Sequence, residues 1–226
     1  MQDFLQETYR RSYHKAHLTE HQARKVVWQA ISRFLEPYVP VDAHILEIGA
    51  GYCDWINSLS GSRKVAVDLW DRVGEFAQPD VEVIQHDLRC GLSCLGDSRF
   101  DVVLASNILE HFDIDNTLML VEQVHLYLKK NGRFIVIQPN FYYAHRHYFD
   151  DYTHRSVFTH VSLAGLLRAK GFQIERLMPR FMPYSMRRLT FKVPAWLVML
   201  YLKSWIKPFA GQMLVIGKKV DSTDEH

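Results

Sequence analysis

Leu46-Glu47-Ile48-Gly49-Ala50-Gly51-Tyr52 is the stretch on which the reading of this chain turns. It closes an apolar segment that begins at Ala43, and aliphatic and β-branched residues over so short a run read as a strand. Two glycines follow at once, so the backbone can take positive φ there and come close to a ligand. We expect this turn to lead into a helix. In a parallel α/β sheet, ligands bind beyond the carboxyl ends of the strands, so such a turn would lie on the binding edge.

Working outward, the pattern repeats. Lys64–Val67, Val81–Ile84, Phe100–Ala105 and Arg133–Ile137 read as further short strands rich in Val and Ile. Thr117–Leu128 carries apolar residues at helical spacing and is expected to stop at Asn131-Gly132. Strands alternating with helical segments imply right-handed crossovers and a parallel sheet covered on both faces. Upstream, Val26, Val27, Ala30, Ile31, Phe34 and Leu35 form one amphipathic face, ended by Pro37 and Pro40. Downstream, Ser162–Ala169 reads as a short helix, and Phe172–Met178 and Gln212–Ile216 as two more strands. The expected organisation is an N-terminal helical cap (1–40), one α/β domain (41–220) with an insertion at 179–211, and a frayed tail (221–226).

The 226 residues are 48% hydrophobic and 23% charged, which excludes disorder over most of the length. Three cysteines argue against a disulfide scaffold and for a reducing, cytoplasmic setting. The start lacks the layout of a signal peptide, and the longest apolar run, Val193 to Leu202, is about half a membrane span. Net charge is only +2, yet Arg176 to Lys219 holds nine Lys/Arg and no acidic residue. The other 18 cations face all 25 acidic residues, so one basic, apolar segment stands out as a surface for something anionic or as a solvated positive face.

A dinucleotide fingerprint would need a third glycine where Asp54 stands, and a carboxylate there would repel a pyrophosphate. That favours a nucleoside cofactor without phosphates. Asp68 ends the second strand 19 residues after Gly49, placed to accept from two ribose hydroxyls. Asp87, in Gln85-His86-Asp87-Leu88, can accept from an adenine amino group. A helix N-cap is the structural alternative for each aspartate.

Taken in order, Leu46–Tyr52, Val65-Ala66-Val67-Asp68, Gln85–Leu88, Phe100–His111 and Leu128–Arg133 resemble the motifs of class I S-adenosylmethionine-dependent methyltransferases. The match covers about residues 40–140, with Cys53 standing where many members carry a further glycine. The resemblance implies a Rossmann-like, seven-stranded, mostly parallel sheet with helices on both faces and an antiparallel last strand. It implies that Glu47, Gly49 and Gly51 shape the pocket for the methionine end, that Asp68 holds the ribose, and that Trp70 lies by the adenine. Asp87 and Leu88 would take the adenine, and Asn107 would sit near the methionine moiety.

The chemistry is expected on the acceptor side. Methyl transfer to a hydroxyl needs alignment and loss of a proton, whereas a carboxylate or phosphate acceptor needs no base. His111 lies at the mouth of the fourth strand, as a base or as a residue that orients its loop. Asn140 to Arg155 is dense in aromatics and histidines. There Tyr142, Tyr143, Arg146 and Arg155 are candidate acceptor contacts, and His147, Asp150, Asp151 and His154 could form a base with its orienting carboxylate. Aromatic faces among polar groups suit a sugar. His145, His147, Asp150 and His154 match no zinc spacing, and Cys90 and Cys94 have no partner pair, so no metal is expected at either set.

His147 to Phe172 is also similar to a bacterial methyltransferase subgroup associated with surface-polysaccharide and glycolipid biosynthesis. The expected reaction is methylation of a sugar hydroxyl on a phosphorylated or lipid-linked acceptor. The alternatives are a small non-sugar metabolite, or a non-catalytic cofactor-binding module. Nucleic acid is not expected, because the Asn-Pro-Pro-Tyr type of signature is absent after the fourth strand and no broad basic track exists. Val193–Leu202, flanked by Lys192, Lys203 and Lys207 with Trp196 and Trp205 near its ends, is expected as a helix that is buried, forms a homodimer seam, or meets the inner face of a membrane.

Overall fold

The computed structural model describes residues 22–184 and 193–220. Residues 1–21, the tail 221–226 and the cations Arg187, Arg188 and Lys192 lie outside the described residues. Seven strands form one sheet: β1 (His44–Ile48), β2 (Arg63–Asp68), β3 (Val81–Gln85), β4 (Phe100–Ser106), β5 (Leu128–Pro139), β6 (Phe172–Pro183) and β7 (Ala210–Lys219). Their order is β3-β2-β1-β4-β5-β7-β6. β1 pairs in parallel with β2 and β4, β2 with β3 and β4 with β5, while β7 runs antiparallel to both β5 and β6. The expected sheet is therefore present, with its antiparallel last strand inserted between the fifth and sixth.

Alternation along the strands feeds two cores. Leu46, Ile48, Val103, Ala105, Phe134 and Val136 face one side. There they meet Leu120, Val121 and Val124 of α2 (Ile114–Tyr127) and Leu163 and Leu167 of α4 (His160–Ala169). Ile45, Val102, Leu104, Ile135 and Ile137 face the other. That side is covered by Val27, Ala30, Ile31 and Leu35 of α1 (Gln22–Leu35) and Val198 and Leu202 of α5 (Ala195–Lys203). Burial on both faces is why the strands read as nearly continuous apolar runs.

Four details differ from the sequence reading. No α-helix follows the glycine turn; the link 49–62 carries a single 3-10 turn at Ile56–Ser58. Gly49, Gly51 and Cys53 have φ of +70°, +51° and +55°, and alternating left-handed residues stop a right-handed helix before it starts. α2 already ends at Tyr127, and Asn131 (φ +61°) and Gly132 lie inside β5, opposite a register shift between Phe100 and Val102. β6 runs on to Pro183 and β7 begins at Ala210, so the connection expected at 179–211 narrows to 184–209. Its prolines are tolerated because β6 is an edge strand whose pairing is irregular between Met178 and Pro183. The expected helix at Val193 starts at Ala195, with Pro194 as its N-cap.

Candidate active site

The carboxyl ends of β1, β2 and β4 meet at the glycine turn. A Cβ on Gly49 would lie 2.9 Å from Ile108 Cδ1, so glycine is required where the loop after β4 presses on the turn. Gly51, by contrast, faces open space. Its amide donates to Asp68 Oδ2 (2.7 Å), and the Trp70 amide donates to Oδ1 (2.8 Å). Asp68 thus holds both the turn and the chain after β2, with a lone pair left on each oxygen for a ligand. Glu47 is buried, and its Oε2 accepts from the Ile56 amide (3.1 Å). Burial, reinforced by Asp54 and Asp68, pushes its carboxyl up to about 8. Asp54 does not sit at a helix start; it pairs with Arg24 of α1 (2.5 Å).

Trp70 stacks on Phe76 (5.2 Å between centroids, 19°), and Tyr52 meets both rings edge-on. This three-ring wall beside Asp68 includes two residues, Tyr52 and Phe76, that were not singled out from the sequence. Asp87 caps the turn Leu88–Cys90, accepting from the Arg89 amide (3.0 Å) and its guanidinium, which is the structural alternative weighed for it. Leu88 is buried in the core. Asn107 has φ +50°; its amide donates to the Ile137 carbonyl and its Oδ1 accepts from Gln212 (3.2 Å).

On the acceptor side the histidines divide into two groups. His147 Nδ1 lies 3.0 Å from Asp150 Oδ2, and both side chains are exposed. His111 and His154 come together instead, their rings 5.0 Å apart, with His154 also against Tyr148. Asp151 joins them through Thr153, whose Oγ1 donates to Asp151 Oδ1 (2.5 Å) and lies 2.9 Å from His111 Nδ1. The fourth member is Glu110, fully buried at 0% exposure, with neither carboxyl oxygen hydrogen-bonded. Burial pushes its carboxyl up to about 8. The Arg155 and Ser156 amides both donate to the Glu110 carbonyl, pinning the loop over this group. Glu110 and Thr153 were missed from the sequence, although Glu110 adjoins His111 in the same quoted motif.

Tyr142, Tyr143, Phe149 and Tyr152 present exposed rings on the same loop, and Arg180 lies over the Tyr143 ring (4.8 Å). Arg146 and Arg155 are exposed on the same loop. Its short helix α3 (Phe141–Ala144) is held by Asn140, a buried side chain that caps it and donates to the Pro179 carbonyl.

A sheet of this order, with a glycine turn and an acid at each of two strand ends, defines the fold of S-adenosylmethionine-dependent methyltransferases. The chain belongs to the family described as methyltransferase domain, which matches residues 19–177. Solved structures agree on the fold. A SAM-dependent methyltransferase from Archaeoglobus fulgidus is 19% identical, with a TM-score of 0.67 over 93% of this chain and 99% of that one. The 1,6-didemethyltoxoflavin-N1-methyltransferase of Burkholderia thailandensis, solved with S-adenosylhomocysteine, is 23% identical, with a TM-score of 0.63 over 96% and 88%. The N-methyltransferase NodS of Bradyrhizobium japonicum, also with S-adenosylhomocysteine, is 13% identical, with a TM-score of 0.62 over 90% and 91%. No curated protein matches the chain by sequence.

Proposed function

We propose that this methyltransferase O-methylates a sugar-containing acceptor in polysaccharide or glycolipid biosynthesis. S-adenosylmethionine supplies a methyl group activated as a sulfonium. The crevice suits that cofactor: Gly51 opens onto space beside Asp68, which keeps acceptor capacity for the ribose, and the buried acid Glu47 lies behind the turn. Glu47, Gly49 and Gly51 hold the methionine end, Asp68 the ribose, Trp70 with Asp87 and Leu88 the adenine side, and Asn107 the approach to the methyl group.

One observation carries the acceptor assignment: the loop that supplies Asp151, Thr153 and His154 to a compact group of two imidazoles and two carboxyls also carries four exposed aromatic rings, Tyr142, Tyr143, Phe149 and Tyr152. Aromatic faces receive the C–H faces of a sugar, and Arg146 and Arg155 can meet phosphates of an activated or lipid-linked form. The group Glu110–His111–Asp151–His154 is where the acceptor hydroxyl loses its proton. The exposed pair His147–Asp150 lies at the rim. The protein works in the cytoplasm, and the exposed face of α5 brings it to the inner membrane surface where lipid-linked acceptors reside.

The test is transfer of labelled methyl groups into cell-envelope fractions, with the label recovered in carbohydrate. Loss of a group that assists proton removal typically costs about 10²–10⁴-fold in turnover. His111→Ala and His154→Ala should each fall in that range, with affinity for S-adenosylhomocysteine unchanged within about twofold. His147→Ala should cost less. Label in an amine-bearing small molecule, with both inner histidines dispensable, would replace this reading with that of a small-metabolite N-methyltransferase. Failure to bind S-adenosylhomocysteine would overturn the cofactor assignment.

A further inference from the structure

One buried group on the acceptor edge has no structural explanation. Glu110 is completely enclosed, yet both of its carboxyl oxygens lack a hydrogen-bond donor. A buried carboxyl left so is costly, and buried carboxylates are ordinarily paired or bound to metal. One oxygen of Glu110 and one ring nitrogen each of His111 and His154 lie within 4.8 Å of one another. Among the described residues this is the single group of three such side chains that comes together. The set weighed from the sequence, His145, His147, Asp150 and His154, does not assemble, and of its members His154 alone joins this cluster.

The surroundings orient the ligands as a metal site requires. Thr153 Oγ1 gives its proton to Asp151 Oδ1 and therefore accepts from His111 Nδ1. That fixes the His111 tautomer, leaving Nε2 as the lone-pair nitrogen. A carboxylate acting through a hydrogen bond on the far nitrogen is the usual support of a metal-bound histidine. The His154 ring is wedged between His111 and Tyr148, and Tyr148 is itself tied to the Ser156 carbonyl. Two amides hold the 155–156 backbone to Glu110, so the ligands from both segments are pre-positioned.

The geometry points to a divalent first-row cation bound by Glu110, His111 and His154 that takes the acceptor hydroxyl as a further ligand. Two imidazoles and one carboxylate suit zinc, manganese, iron or cobalt in the divalent state, and three protein ligands leave coordination positions open. This deepens the hydroxyl-methylation reading and rests on it. The cation would lower the hydroxyl pKa, as a bound divalent ion does for water, so the proton leaves to solvent. The oxygen then forms its bond to the methyl carbon as the carbon–sulfur bond breaks and its electron pair returns to sulfur.

The experiment uses full-length protein stripped with a chelator and titrated with Co2+, read by visible absorption without any acceptor. One equivalent should bind, with bands typical of nitrogen and oxygen ligands. His154→Ala and Glu110→Gln should each weaken binding about 10-fold or more. Thr153→Val, which breaks only the support of His111, should weaken it about 10–100-fold. Thermal melts identify any variant that fails to fold, and Thr153→Val, whose site is partly exposed, is the control if Glu110→Gln does. Co2+ binding that is absent, or equal in wild type and all variants, overturns the proposal. So does methyl transfer at full rate in the chelator-treated protein, and in that case hydroxyl methylation still stands. Failure of S-adenosylhomocysteine to bind while Co2+ binds would sink the methyltransferase reading alone.

Discussion

Glu47 carries its proton far into the neutral range because the fold removes it from water. Its pKa stands at about 8, against an ordinary value of 4.5. Below pH 4.5 the folded and unfolded chains are both protonated there, and the residue adds no pH dependence. Between 4.5 and 8 the unfolded chain ionises and the folded chain does not, so stability falls as pH rises, by about 1 kcal/mol per pH unit from this group. Glu47→Gln keeps an acceptor for the Ile56 amide and removes the titration. Urea unfolding at pH 5 and pH 7.5 should show the variant losing less stability over that interval than the wild type; equal losses would mean that Glu47 is ionised in the fold. The position of such a residue was legible in sequence as the acid before Gly-x-Gly, and that of Asp68 as an acid closing the next strand, because each position is local to one strand end. Glu110 was not. Its burial comes from the loop at 153–156 folding back over it, more than 40 positions away, and no local pattern announces that contact.

Strands and the longer helices were readable because burial imposes their periodicity, and α2 and α4 fall within a few residues of the expected bounds. The link after β1 failed for the opposite reason. Its helix was inferred from what usually follows a glycine turn, whereas Cys53 at φ +55° depends on packing of the whole link, with Trp55 and Ile56 fully buried beneath it. End signals behave in the same way. Thr159 and Ser162 form a reciprocal capping box at the start of α4, each side chain accepting from the other residue's amide. α4 buries Leu163 and Leu167 in the core, so a loosened first turn is felt by the fold. Thr159→Ala should cost about 1 kcal/mol. For a chain of this length that is a fall of roughly 2–4 °C in Tm. Scanning calorimetry checks it, and an unchanged Tm would mean that the cap is replaced by water without loss.

α5 and the turn after it give the molecule an apolar outer face. Val198 and Leu202 point inward against α1, while Trp196, Leu197, Leu200, Trp205, Ile206 and Phe209 are exposed, Trp205 at 92% and Phe209 at 89%. The sequence showed a helix apolar all round and left open what its outer side meets; the fold accounts for the inner side alone. Among the flanking cations Lys207 is withdrawn. It is buried, donates to the Leu202 carbonyl (2.7 Å) at the end of α5, and burial pushes its pKa down to about 8. Lys203 remains exposed, and no helix among the described residues is long and apolar enough to cross a membrane. The proposed lipid-linked acceptor predicts a shallow contact through tryptophan and phenylalanine, aided by cations worth about 1 kcal/mol each near an anionic surface. The chain should sediment with vesicles containing phosphatidylglycerol at low salt, with a blue shift in tryptophan emission. Binding should weaken, without vanishing, at 1 M salt, where screening shortens to roughly 3 Å and the aromatic contribution persists. Trp205→Ser with Phe209→Ser should abolish it while leaving S-adenosylhomocysteine affinity unchanged, since both side chains are exposed to solvent and neither is among the residues assigned to the cofactor. If wild type stays in the supernatant at low salt and runs as a dimer that the same double variant dissociates, this face is a seam between two copies and the acceptor is soluble.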